Sequence, residues 1–195
     1  MTKANPAIVS GTEIAAGDAR TRYDRIAVTL HWLTVLLVLA QFGLAQFWGF
    51  APKPAHHLMI VAHMSFGILL TLVLMMRIVW QLVPSHRMPP AIPGWMGLAA
   101  RALHYLLYGL LAGEVVLGFL LRWSGNEPLS FFGLLIPSPI PPFSKSAHHL
   151  VGETHNFIAW TIIVLASAHA LTALFHHFVL RDGVLRRMLP TGLMR

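Results

Sequence analysis

Residues 150–180 read LVGETHNFIAWTIIVLASAHALTALFHHFVL, with one acidic residue and no lysine or arginine. The stretch exceeds the roughly 20 residues that a helix needs to cross a hydrocarbon core about 30 Å thick. Three further long apolar stretches precede it, at 26–48, 58–82 and 96–122. None alternates apolar and polar residues as a barrel strand would, and lipid requires every backbone group to be satisfied internally. The sequence therefore predicts an all-α integral membrane protein, a bundle of four transmembrane helices.

The composition supports this class. Of the 195 residues, 56% are hydrophobic and 11% charged, and mean hydropathy is +0.65. A soluble domain carries about 25% charged residues, so a soluble enzyme is excluded, and a disordered chain requires low hydrophobicity. Cysteine is absent, which excludes disulfides, iron–sulfur clusters and thiol catalysis. The basic residues responsible for the net charge of +7 lie between the apolar runs, as the loops of a membrane protein do, so no nucleic-acid partner is expected.

The distribution of lysine and arginine predicts the orientation. Both tails and the second loop carry eleven of these residues, and the first and third loops carry three. Because cytoplasmic loops are enriched in basic residues, both termini are expected in the cytoplasm. The predicted organisation is a flexible cytoplasmic tail at 1–20, a membrane domain at 21–190 and a second tail at 191–195. No removable signal peptide is visible.

Four of the histidines inside the predicted spans lie at depths that match pairwise. His155 and His169 are fourteen residues apart on the last helix, so they share nearly one face and lie about 21 Å apart along the axis. His63 matches the outer depth and His31 the inner depth. The predicted couples are therefore His63 with His155 and His31 with His169.

Two couples of imidazoles stacked in a four-helix bundle match the axial ligation of two b-type haems. Filled axial positions favour electron transfer over gas binding. Two alternatives stay open. A single histidine within a span can be a polar group bonded to a backbone carbonyl. His104, at about the inner depth, competes with His31 as a ligand. A zinc site built from clustered histidines is a further reading, although the HExxH motif is absent.

Several motifs then indicate a family. They are Leu30-His31-Trp32, His63-Met64-Ser65-Phe66-Gly67, His104-Tyr105-Leu106-Leu107-Tyr108, Phe131-Phe132-Gly133-Leu134, His155-Asn156, His169-Ala170 and the exit from Arg181 to Pro190. In this order they resemble the prokaryotic cytochrome b561 family, which is related to the b subunits of hydrogenases and formate dehydrogenases. The resemblance covers about residues 20–190.

The resemblance implies a bacterial inner-membrane protein with four helices and two haems b that exchanges electrons with quinone. At least one similar protein is a superoxide oxidase that passes electrons to ubiquinone. We therefore expect an electron relay between a periplasmic-side donor, superoxide among the candidates, and the quinone pool. If the chain is an enzyme, it would be a superoxide:quinone oxidoreductase. Quinone and membrane lipid are the expected partners, and a homodimer or a redox partner is left open.

Cationic residues near the two depths are candidate partners of haem propionates. Arg77 lies at the inner end of its helix, where it either binds the inner haem or reaches the interface as a positive-inside arginine. Arg122 and Lys145 are the outer candidates, and they could also steer an anionic donor.

A reduced quinone needs proton donors. His176, His177 and Asp182 cluster at the inner boundary near His169 and suit that role. The alternative for both histidines is an interfacial polar belt.

One position departs from the family pattern. Val115 stands where the family often has proline, and Glu114 precedes it in mid-span. A carboxyl group there is costly unless paired or protonated, so Glu114 is expected to be a structural group bonded to another helix or part of a proton path.

Two other functions remain open from the sequence. One is a membrane-anchor cytochrome b subunit of a hydrogenase or dehydrogenase complex. The other is a haem-free transporter gated by histidines.

Overall fold

The computed structural model describes residues 23–83, 94–182 and 184–189. Its four long helices are each long and apolar enough to cross a membrane, which confirms the predicted all-α membrane fold. Their bounds are α1, Arg25–Phe47; α2, Lys53–Leu82; α3, Gly94–Ser124; and α4, Lys145–Phe175. The two predicted tails, at 1–20 and 191–195, lie outside the described residues.

Two of the helices begin five residues earlier than the hydropathy pattern predicts. Helix α2 starts at Lys53 and includes Pro54 in its first turn, where proline costs no intrahelical hydrogen bond. Helix α4 starts at Lys145 because the Ser144 hydroxyl accepts a hydrogen bond from the Ala147 backbone N–H at 3.3 Å. Both added segments are polar, so they lengthen the helices beyond the apolar runs.

The helices form two antiparallel pairs. Helix α1 packs along α2, and α3 packs along α4, while α2 and α3 provide the main backbone contact between the pairs. Leu74, Leu111 and Ile162 from three helices are buried together at the centre. Large apolar side chains elsewhere face outward, as Phe157 does with 72% exposure. Such a surface is stable only in lipid, where it needs no protein cover.

A short β-hairpin connects α3 to α4 at one end of the bundle. Strands β1 (Leu129–Phe131) and β2 (Leu134–Ile136) pair antiparallel around a two-residue turn with positive φ at Phe132 (48°) and Gly133 (94°). The Phe132 backbone N–H donates to the hydroxyl of buried Ser65 on α2 at 2.8 Å. This hairpin lies within the third loop of the predicted topology, because three-residue strands show no measurable periodicity.

The other end of the bundle is closed by the chain after α4. A π-helical turn (His176–Leu180) ends at Arg181, which has a left-handed backbone (φ 53°), and a 3₁₀ turn covers Leu185–Met188. The Trp32 indole N–H donates to the Met188 carbonyl at 2.8 Å. The start of α1 and the end of the described chain therefore lie at the same end of the bundle.

Candidate functional site

We call the end of the bundle with the β-hairpin the outer end and the opposite end the inner end, following the predicted topology. His63 and His155 face each other at the outer level, with ring centroids 6.5 Å apart and ring planes at 80°. Each lies ten residues from the outer end of its helix, a distance of about 15 Å. The outer histidines that the sequence pairs are thus close together in space.

This separation fits one metal ion between the two rings. Imidazole nitrogen binds such ions at about 2.0 Å, and with a ring radius of about 1.2 Å the two centroids would lie about 6.4 Å apart. The His63 Nδ1 atom lies 3.1 Å from the Gln41 backbone carbonyl, which can accept its proton. That hydrogen bond leaves Nε2 as the free ligand atom, the arrangement that metal-binding histidines usually show.

The other outer ring has a carboxyl group beside it. The His155 Nδ1 atom lies 3.1 Å from Glu114 Oε1, and the two side chains are 20% and 14% exposed. His155 Nδ1 and Glu114 Oε2 are buried and lack an aligned hydrogen-bond partner. One turn further along α3, a Cβ atom at Gly118 would lie 3.4 Å from His155 Cε1. Helix α3 therefore packs Gly118 and its only carboxyl group against the His155 ring, with the carboxyl group at Nδ1.

Two more unpaired donors lie on α3 near its outer end. The Arg122 Nε and Trp123 Nε1 atoms are buried without a hydrogen-bond partner. Arg122 forms an ion pair with Glu127 through its terminal nitrogen. Buried donors without partners suit the carboxylates of a haem, so the outer residues fit that group in both ligand atoms and cationic partners.

Three histidines lie at the inner level. The His169 ring contacts His104, with centroids 5.0 Å apart, and His31 lies within electrostatic range of both. The Arg77 guanidinium donates a hydrogen bond to His31 Nδ1 at 3.2 Å and lies over the Tyr108 ring at 5.0 Å. The structure thus brings His169 into ring contact with His104, and it holds His31 beside Arg77.

Below the inner level, His176 and Asp182 form an ion pair at the exit of α4. Asp182 also accepts a hydrogen bond from the Val184 backbone N–H at 3.1 Å. Burial alone would raise the pKa of Asp182, but these interactions with His176 and Val184 outweigh it, and the pKa is lowered. The His177 ring packs against Phe178 instead. The two histidines that the sequence groups therefore have different surroundings.

These groups do not form a metal site that the protein could complete by itself. Within residues 23–83, 94–182 and 184–189, no three histidine, aspartate or glutamate side chains are arranged to hold one. The clustered-histidine zinc site considered from the sequence thus finds no support in the described part of the chain.

The contact of Glu114 with His155 could not be predicted in full from the sequence. In the predicted spans, Glu114 lies eight residues before the end of one helix and His155 five residues after the start of the next. The observed helices put both residues ten from the shared end, and equal distances in an antiparallel pair place them at one depth.

Comparison with known proteins identifies the family. The sequence profile described as prokaryotic cytochrome b561 matches residues 22–191. Cytochrome b561 homolog 2 of Escherichia coli (strain K12) is 33% identical over 177 residues, covering 86% of this chain and 91% of that protein. The probable superoxide oxidase CybB of Yersinia pestis is 30% identical over 177 residues, covering 87% and 96%. Cytochrome b562 of Cereibacter sphaeroides is 27% identical over 177 residues, covering 86% and 94%.

The match spans all four helices and both histidine levels, and it agrees with the fit of the outer residues to haem. The chain belongs to the prokaryotic cytochrome b561 family and is a bacterial membrane cytochrome b that transfers electrons.

Proposed function

We propose that this chain holds two haems b and relays electrons between a donor on the outer side and the quinone pool. When bound, haem b supplies a one-electron change of oxidation state at its iron, and the protein supplies ligands, position and surrounding charge. The observation that carries the proposal is the outer couple. His63 and His155 lie at the separation of two axial ligands, on helices from different pairs.

The inner couple is proposed as His31 with His169. The two outer ligands come from different helix pairs, one from α1/α2 and the other from α3/α4. A flat haem between the pairs would therefore have one ligand on each of its faces. His31 and His169 also come from different pairs. His104 and His169 both belong to the α3/α4 pair, and their 5.0 Å separation is too short for an ion between them. Binding through His31 Nε2 would require its hydrogen bond with Arg77 to break, because Arg77 can only donate.

Arg77 is then free to hold a propionate at the inner level. The guanidinium already lies among polar groups, since Gln81 donates a hydrogen bond to the Tyr108 hydroxyl at 2.8 Å beside it. At the outer level, Arg122 and Trp123 supply the unpaired donors, and Lys145 begins α4 at the same end.

The quinone site is proposed near His176 and His177, at the inner end of α4. The ion pair of His176 with Asp182 offers a proton-carrying group beside the membrane surface. Such a group could deliver protons to a quinone reduced at the inner level. Ubiquinone is the proposed substrate because the chain resembles proteins that use it.

Superoxide is the proposed outer donor. The support is the similarity to the probable superoxide oxidase of Yersinia pestis. In this chain Arg122 is paired with Glu127, so only part of its charge remains to attract an anion. The enzymatic reaction would be superoxide:quinone oxidoreduction in the inner membrane.

The main test counts haems in detergent-purified protein from cells with ample haem, by the pyridine haemochrome assay. We expect two haems b per chain, one in His63→Ala and one in His31→Ala. His104→Ala should retain two, as should the matched control His149→Ala, whose side chain is 77% exposed. Wild-type protein with one haem or none would refute the di-haem proposal. Loss of a haem in His104→Ala with two retained in His31→Ala would reassign the inner ligand.

Orientation has a separate test, because the chain contains no cysteine. Single cysteines at exposed positions, Ser146→Cys at the outer end and Arg186→Cys at the inner end, can be labelled with an impermeant maleimide. With both termini in the cytoplasm, intact spheroplasts label only Ser146→Cys. Labelling of Arg186→Cys alone would invert the topology.

A membrane-anchor subunit of a hydrogenase or dehydrogenase complex stays as the second candidate. It predicts a soluble partner that co-purifies in stoichiometric amount, whereas the proposed oxidoreductase works without one. Family membership favours both over a haem-free transporter.

A further inference from the structure

The mid-span carboxyl group of Glu114 has no role in the function proposed above. It is the only acidic side chain within the described part of α3, and it lies 3.1 Å from the Nδ1 atom of His155. Both groups are largely buried, and Glu114 Oε2 and His155 Nδ1 lack an aligned partner. Groups of this kind are expensive in a membrane interior and are retained where they act.

We propose that Glu114 is a positioning residue that accepts the Nδ1 proton of His155 and lowers the reduction potential of the outer site below that of the inner site. The proposal rests on the proposed function, because it requires His155 to be an axial ligand. Glu114 adjoins Val115, the position at which this chain departs from the family pattern.

The geometry favours this role over simple packing. Gly118, one turn along α3, lies against the same ring, since a Cβ atom there would be in van der Waals contact with the Cε1 atom of His155 at 3.4 Å. The Glu114 carboxyl group lies at the edge of the ring that carries Nδ1. An acceptor at Nδ1 fixes the tautomer and ring orientation and leaves Nε2 to bind the metal, and it makes the ligand more basic.

The charged groups beside the ligands differ between the outer and the inner level. A buried carboxylate is costly unless a positive charge lies near it. Oxidised iron at this site would supply that charge and carries more of it than reduced iron, so a carboxylate beside an axial ligand favours the oxidised form and lowers the potential. The partner ligand His63 has a neutral acceptor, the Gln41 carbonyl at 3.1 Å. At the inner level the nearest charged group is the cation Arg77, which stays beside the site when it turns from His31 to a propionate and has the opposite effect. Electrons would therefore pass downhill from the outer site to the inner site.

The test is a spectroscopic redox titration of the haem-loaded protein. Outer-shell partners of metal ligands change affinity about 10- to 100-fold. In Glu114→Gln, which keeps an acceptor oxygen but loses the charge, we expect about a tenfold fall in the preference for oxidised iron. For a one-electron couple this is a rise of about 59 mV in the outer midpoint. The inner midpoint should not move.

Two further variants separate charge, position and general electrostatics. Glu114→Leu removes the acceptor as well, so the outer midpoint should rise at least as far and the low-spin ferric signal of that site should broaden in electron paramagnetic resonance. Glu153→Gln is the control of equal charge change, since Glu153 is 69% exposed and screened by solvent, and it should leave both midpoints in place.

The outcomes distinguish this inference from the proposed function. Wild-type protein with fewer than two haems contradicts the proposed function itself. So does a redox titration of the wild type in which neither transition is lost in His63→Ala. Two haems with unchanged midpoints in Glu114→Gln, or an equal shift in Glu153→Gln, contradicts the role of Glu114 and leaves the di-haem proposal intact.

Discussion

Replacing Ser65 with alanine should release the outer β-hairpin. Ser65 is fully buried on α2, two residues after His63. Its hydroxyl donates to the Val61 carbonyl at 2.7 Å and accepts from the Phe132 backbone N–H at 2.8 Å, and the Ser130 carbonyl lies 3.3 Å away. This one hydroxyl group joins the hairpin to the membrane bundle through its backbone.

The size of the effect on hairpin opening depends on which hydrogen-bonding groups the substitution leaves without a partner. The Val61 carbonyl keeps its helical hydrogen bond, so its loss of the hydroxyl costs little. The Phe132 N–H loses its acceptor, and a hydrogen bond at this partly buried place contributes about 0.5–1.5 kcal/mol net. The left-handed backbone of Phe132 (φ 48°) strains the hairpin equally in both proteins, so it does not enter the difference. Opening of the hairpin should therefore become about 2- to 13-fold more favourable.

Hydrogen–deuterium exchange in detergent measures this opening at residues 129–136. The matched control is Ser130→Ala, which removes the contact of its hydroxyl with the Gly133 N–H at 3.2 Å inside the turn and leaves the Ser65 anchor. Its effect should stay within the turn. The reasoning is wrong if the Phe132 amide in Ser65→Ala exchanges within twofold of the wild-type rate, or if Ser130→Ala accelerates exchange of the whole hairpin as strongly.

Three further predictions concern the two ends of the bundle. The lowered pKa of Asp182 means that this residue stabilises the exit turn above pH 3.8, the ordinary pKa of its carboxyl group, and that the stabilisation is lost as the pH falls below that value. Asp182→Asn should remove this acid dependence, measured as amide protection of the exit turn against pH. Identical pH profiles for the variant and the wild type would contradict the prediction. Trp32→Phe removes the hydrogen bond to Met188 and should lower the free energy of opening of the exit turn by about 1 kcal/mol. Tryptic cleavage of the turn should then be about fivefold faster, and cleavage at the wild-type rate would contradict this. Gly133→Ala places a residue with a Cβ atom at a φ of 94° and should destabilise the hairpin by at least about 1 kcal/mol. Gly109→Ala on α3, where a Cβ atom would meet open space, should stabilise the helix by about 0.5–1 kcal/mol. Thermal unfolding of both variants checks the two signs.

The fold could be predicted because one physical requirement dominates it. A span needs a run of apolar residues of known length, and four such runs give four helices whatever their side chains contact. The same reasoning misplaces helix starts, because it measures hydropathy and not hydrogen bonding. The α4 start depends on the cap at Ser144, six residues before the predicted run at 150–180, and the hairpin depends on a turn at Phe132 and Gly133.

Depth along a helix is also available from sequence, since each residue adds a fixed rise of about 1.5 Å. It is the reason that His63 and His155 could be paired. One histidine lies at that depth on α2 and one on α4, so no choice of partner remained. The same count applied to acidic residues would have brought Glu114 only within one turn of the depth of His155, since they lie eight and five residues from the facing ends of the predicted spans; the observed helix bounds make both distances ten.

The inner level shows what depth cannot supply. His31, His104 and His169 lie on three helices at similar depth, so their pairing depends on which helices are neighbours and how each is rotated about its axis. The helices associate as α1/α2 and α3/α4, which puts His104 and His169 in contact within one pair and leaves His31 in the other, beside Arg77. Long-range packing sets this arrangement, and no local pattern in the sequence encodes it. The same association favours His31 as the ligand, because a flat group bound between two helix pairs can take axial ligands from both only when those ligands lie on opposite sides of the interface.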